Sequence, residues 1–135
     1  MTQAVGRTHV GRQRQTNEDV YLIDPQLQLF AVADGMGGHN AGEVASRLVV
    51  DTVADFVRVS RSDSDITWPY GLVKTLSFEA NQLRNAILLA NQKVHFEGGR
   101  RPECRGMGST VLAVIVQDGR LNYSSVGDSR LYLLR

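Results

Sequence analysis

A single cysteine, Cys104, leaves no partner for an internal disulfide, so nothing here is a disulfide-stapled secreted scaffold. Long apolar runs are also missing. No stretch reaches the roughly 18 residues that a membrane-crossing helix needs, and the amino terminus lacks the apolar segment of a signal peptide. These absences predict a cytoplasmic protein with no membrane segment. An excess of charge of either sign is lacking too, with 15 Lys and Arg against 14 Asp and Glu and a formal charge of +1. Such a balance gives no field to steer a polyanion, and nucleic acid is not an expected partner. Only three prolines interrupt the chain, and no low-complexity tract or internal repeat occurs. With 42% hydrophobic and 21% charged residues, the 135 residues have the composition of one globular domain.

The patterns along the chain predict the elements. VYLID at 20–24 and LQLFAV at 28–33 are short β-type runs separated by a turn at Pro25 and Gln26, a hairpin. From Ala41 to about Val59, apolar residues recur at helical spacing, with Asn40 placed to cap the helix. A polar loop at 61–71 precedes a second helical pattern. Its apolar face carries Leu72, Leu76, Ala80, Leu83, Ile87, Ala90 and Val94, with Lys74, Gln82, Arg84 and Gln92 elsewhere, and it is expected to end before Gly98-Gly99.

STVLAVIV at 109–116 reads as a strand buried on both faces, Asp118-Gly119 as a hairpin turn, and LNYSSV (121–126) and RLYLLR (130–135) as two further strands. Helices that lie together in sequence, between strands, argue for an α+β fold with an antiparallel sheet. The chain stops on the apolar run LYLLR, which predicts that the sequence is a fragment.

Three clusters carry candidate chemistry. VADGMGG (32–38) ends an apolar run on Asp34 and continues as nearly bare backbone, where a hard cation or a phosphate could approach; a tight turn with a capping aspartate is the bland alternative. In RQTNED (14–19), Glu18 and Asp19 repel each other unless a cation or arginine compensates them, although a solvated turn would also suit them. Asp128, in GDSR (127–130), lies between two apolar runs, as an ordinary hairpin turn would place it.

Together, R-x-x-NED, DGMGG before a helix, GMGST entering a strand and VGDSR resemble the metal-dependent (type 2C, PPM) Ser/Thr protein phosphatases in their bacterial form. The four motifs fall in the family's order from Gly11 to Arg135. The resemblance implies a β-sandwich with a helix pair on each outer face, αββα, of which this chain is the amino-terminal part. It implies that Asp34 bridges two Mn2+ or Mg2+ ions and that the Gly35 carbonyl binds one of them. Glu18 would reach the second ion directly or through water, with Asp19 as a supporting carboxylate one step removed. Arg14 would hold the substrate phosphate, and Asp128 a third, weaker ion. Asp34 and Arg14 are thus the expected catalytic residues.

The substrates implied are phosphoserine and phosphothreonine proteins, opposing a Ser/Thr kinase. Oxygen-only ligands suit these ions, and two of them about 3.5 to 4 Å apart can activate a shared water and clamp phosphoryl oxygens. A bidentate arginine neutralises phosphate in a way that lysine cannot.

Some family members carry histidine directly after the DG pair; here Met36 fills the slot, as bacterial members often have, and His39 is not its equivalent. Ser109, Thr110 and Ser129 are nucleophile types without a positioned His-Asp pair, and read as structural. Cys104, near Arg101 and Arg105, reads as a plain loop cysteine.

The family's further aspartates, in D-G and D-N motifs of a carboxy-terminal half, have no counterpart here, since the last acidic residue is Asp128. Little or no turnover is therefore expected from the chain alone. An inactive phosphoprotein-binding module and an assembly of two complementary half-domains are the alternative readings.

Overall fold

A computed structural model describes residues 2–135. Strands β1 (Asp19–Asp24) and β2 (Leu29–Met36) are followed by helices α1 (Ala41–Ser62) and α2 (Phe78–Arg100), and then by β3 (Gly108–Ser109), β4 (Val111–Gln117) and β5 (Arg120–Val126). A single 3-10 turn, Pro102–Cys104, links α2 to β3. The strands pair antiparallel in the order β1-β2-β4-β5, with β3 on the end of β2. The α+β reading holds, with both helices on one face of the sheet.

Side-chain alternation explains why only one face is packed. The register aligns Val20 with Ala33, Leu22 with Ala31, Ala31 with Ala113 and Leu29 with Ile115, and this set faces the helices. Leu29, Ala113 and Ile115 are wholly buried, against Val53 and Val57 of α1 and Leu83 and Ala86 of α2 in one core. Each large aliphatic side chain so buried contributes about 1.5–3 kcal/mol. The alternate set, Tyr21, Ile23, Phe30, Val32 and Tyr123 with Leu112 and Val114, is equally apolar but is not covered by the helices; only Leu112 and Val114 of it are buried, so that β4 is buried on both faces as expected. Val32 is 44% and Tyr123 60% exposed. Residues 4–6 and Leu131 lie over part of this open face and leave a cavity of about 340 Å³.

Several element boundaries differ from those expected. Helix α1 runs three residues beyond Val59, to Ser62. Asn40 does precede it, but in a left-handed conformation (φ 68°) with no side-chain bond to the helix, so it does not cap as predicted. A capping side chain needs the extended backbone region that Asn40 has left.

Helix α2 begins at Phe78 and not at Leu72, because Ser77 is the true cap: its hydroxyl accepts from the Ala80 N–H at 3.0 Å. Leu72 and Leu76 are consequently exposed. The segment before Ser77 is held as a loop by two buried asparagines. Asn81 accepts from the Val73 N–H and donates to the carbonyls of Val73, Leu76 and Ser77; Asn85 accepts from the Tyr70 N–H and donates to the Gly71 carbonyl. Gln82, expected on the polar side, is wholly buried and donates to Ser60 Oγ at 2.7 Å. The helix also passes through Gly98-Gly99, where the absence of a side chain lets the Cys104 carbonyl pack close to Gly98.

Trp68, in the same connection, stacks edge-on against Phe56 of α1 and Phe78 of α2, each at 5.6 Å between ring centres. Asp118 (φ 51°) and Gly119 (φ 73°) form the predicted tight turn, both central residues left-handed as a primed hairpin requires. The run 130–135 is not a strand. The β5 ladder ends at Val126, Gly127 turns the chain away at φ 99°, and Tyr132, Leu133 and Leu134 stay exposed.

Candidate metal and phosphate site

The site is built where β1 and β2 meet β3. Register sets Asp19 directly opposite Asp34 on the open face. Asp34 does not follow the strand, as the glycines after it suggested, but lies within it. Pairing of Gly35 with Ser109 and of Met36 with Gly108 carries β2 through residues of poor strand propensity.

Thr110 brackets Asp34 from both sides: its hydroxyl accepts from the Asp34 N–H and its own N–H donates to the Asp34 carbonyl, both at 2.9 Å. The Ser109 hydroxyl donates to the Thr110 carbonyl at 2.7 Å, with the Asp34 carbonyl 3.3 Å away, and Thr110 Oγ1 lies 2.9 Å from Ser129 Oγ. These three hydroxyl residues are therefore structural, as expected, and the structure they serve is the backbone of Asp34. Asn17 performs a similar service for Asp19, accepting from its N–H at 3.1 Å while donating to Thr8 Oγ1.

Two adjacent carboxylates without a compensating cation disfavour each other's charge. Burial, the facing Asp34 carboxylate and a hydrogen bond with it push the Asp19 carboxyl above its ordinary range, against the opposing pull of the Arg14 guanidinium. Arg14 itself is exposed.

Glu18, next in sequence, projects to the other side. Its carboxylate lies against Gly42 in the first turn of α1, and its Oε2 is buried with no hydrogen-bond partner. The Gly35 N–H donates to the Glu18 carbonyl at 3.0 Å. Gly35 needs to be glycine: a Cβ there would overlap the Gly42 carbonyl. Asp128 is exposed, one residue from the Ser129 end of the Thr110 brace.

Among the described residues, no three His, Cys, Asp or Glu side chains gather as a complete ion site. The donors present still fit a hard divalent cation: oxygen-only groups, a like-charged pair in register and a buried carboxylate oxygen with no partner.

A cavity of about 350 Å³ opens beside the pair, lined by Arg7, Thr8, His9, Asp19, Asp34 and Ser129 among others. Arg7 and His9 carried no signal in the sequence, since residues 5–10 match no motif and are brought here only by the path of the amino-terminal segment. His9 Nδ1 accepts from the Gly11 N–H at 2.8 Å, which puts the ring proton on Nε2. His39 turns the chain into α1 with φ 52° and does not line this cavity. Cys104 is not in an open loop but buried, 1% exposed, beneath α2. A larger cavity, about 780 Å³, lies between α1 and α2, lined by Leu48, Leu89, Phe96, Asp51 and Glu97 among others and by none of the candidate site residues.

The antiparallel sheet backed by a helix pair is shared with solved PPM-type phosphatase structures. The serine/threonine phosphatase PstP/Ppp of Mycobacterium tuberculosis aligns with a TM-score of 0.71 and 34% identity, over 92% of this chain and 46% of that one. The catalytic domain of PstP in complex with two manganese ions aligns at 0.60 and 29% identity, over 87% and 52%.

The chain belongs to the protein phosphatase 2C family, whose model matches residues 5–135. In sequence it is 30% identical over 131 residues to protein phosphatase PhpP of Streptococcus pneumoniae, covering 95% of this chain. It spans only 48% of that relative's length.

Proposed function

We propose that this chain is the amino-terminal part of one PPM catalytic domain, and that the complete protein removes phosphate from phosphoserine and phosphothreonine in proteins, opposing a Ser/Thr kinase. The observation that carries this reading is the in-register pair Asp19 and Asp34, with the Asp34 backbone clamped by Thr110. Asp34 and the Gly35 carbonyl would hold two Mn2+ or Mg2+ ions, Glu18 would reach one of them and Asp128 would hold a third, while Asp19 would support the set. When bound, such ions supply an activated water and neutralise phosphoryl charge.

The chain's own residues do the rest. Arg14, exposed at the surface, binds and orients the phosphate. The Thr110 brace holds the backbone of Asp34, and Asn17 the backbone N–H of Asp19. Arg7 and the Nε2–H of His9 offer further donors on the cavity wall. The open apolar face favours completion by the second sheet of the sandwich, with the residues that hold the ions from the opposite side.

The deciding assay is p-nitrophenyl phosphate hydrolysis with Mn2+ and with EDTA, by the 135-residue chain and by the complete protein. Chelator-sensitive turnover is expected of the complete protein and little or none of the chain. In the complete protein Asp34→Asn abolishes turnover, whereas Arg14→Ala mainly raises KM. Full activity of Asp34→Asn would overturn the metal assignment.

A further inference from the structure

Three stretches of backbone meet at one point beneath the acidic pair: the entry to β1 at Glu18, β2 at Gly35 and the first turn of α1 at Gly42. The contacts there are reciprocal. A Cβ on Gly35 would overlap the Gly42 carbonyl, and a Cβ on Gly42 would overlap Glu18 Oε2 and press within 2.9 Å of the Gly35 carbonyl carbon. Neither glycine is at a positive φ. Backbone conformation therefore does not require them; the space does. That space is occupied by a carboxylate oxygen with no hydrogen-bond partner, an arrangement that burial alone would penalise.

We infer that Gly42 is a positioning residue: its missing side chain seats α1 on β2 and leaves the slot that holds the Glu18 carboxylate in place beside Gly35. The inference rests on the metal reading only for its functional consequence. Any side chain at position 42 must either eject Glu18 or lift the first turn of α1 off Gly35, and both movements misplace groups assigned to the ions. Asn40 makes no side-chain bond to this turn, which is seated by the packing of Gly42 together with the buried Ala41 and Ala45.

The test is a double-mutant cycle on the 135-residue chain with Gly42→Ala, Glu18→Ala and the two combined. Two readouts are recorded, the thermal midpoint in EDTA and Mn2+ affinity by the electron paramagnetic resonance of the free ion. Gly42→Ala is expected to lower the midpoint by several degrees, and Glu18→Ala in that background to restore part of the loss, because the overlapping carboxylate has gone. Mn2+ affinity is expected to fall roughly ten-fold or more in Gly42→Ala, the scale on which supporting groups tune metal sites, with no further loss on adding Glu18→Ala.

An unchanged midpoint in Gly42→Ala, or a loss that Glu18→Ala does not relieve, overturns the inference. If Gly42→Ala does not fold, folding of the double variant supports it and failure of both overturns it. If the parent chain binds no Mn2+, the metal reading of this chain fails, while the midpoint cycle still decides whether Gly42 positions Glu18.

Discussion

At the scale of single residues, the Asp19 carboxyl ties the site to pH. Its folded-state pKa is raised above the ordinary 3.8, so the folded chain keeps a proton that the unfolded chain has already released. Stability is lost as pH rises from about 3.8 through the raised value, and at pH 7 the full penalty is present. Asp19→Asn should therefore raise the thermal midpoint of the metal-free chain at pH 7 and lose that advantage at pH 3. Circular dichroism melts in EDTA at the two pH values check this, and equal differences at both would remove the charge-pair account. Glu18 and Asp34 stood out in the sequence for different reasons, Glu18 as half of an adjacent carboxylate pair in RQTNED and Asp34 as the end of an apolar run before the bare backbone of VADGMGG. Arg7, His9 and the Thr110 brace did not, since each comes to the site from a distant or patternless stretch.

Among the elements, α1 was readable because its buried residues Ala41, Ala45, Val49, Val53 and Val57 keep a plain helical spacing. The start of α2 was not, because buried polar side chains do what the apolar pattern was expected to do. Asn81 alone ties the preceding loop to the helix through four hydrogen bonds. Asn81→Ala leaves the Val73 N–H without its partner and should destabilise the chain by about 1–3 kcal/mol, measured by urea unfolding. An effect under half of that range would mean that water replaces the side chain. The extension of β2 through Asp34-Gly35-Met36 was hidden for a related reason: local propensity opposes a strand there, and only pairing with Gly108 and Ser109 imposes it.

For the whole molecule, the decisive contrast is between the two faces of one sheet. Both are apolar by sequence alternation, but only one is covered by α1 and α2. An uncovered face of this kind promotes association. The isolated chain should gain mass with concentration in light scattering, and Val32→Lys, at a position 44% exposed in the middle of that face, should shift it toward the monomer with no loss of helical signal. A strictly monomeric parent at high concentration would contradict this. The sequence resemblance implies a second layer that would cover this face; the expectation of a strand at 130–135 failed because apolar alternation specifies a face, not a neighbour to pair with.

Trp68 is the only tryptophan of the chain, and it is wedged between Phe56 and Phe78, one from each helix. Its emission is thus a built-in optical gauge of how the helix layer closes, from a residue that does not line the cavity beside Asp19 and Asp34. Ion titrations followed at this wavelength would be silent unless the helices themselves shift, so a fluorescence change on adding Mn2+ would report communication from the site to the helix pair rather than local quenching.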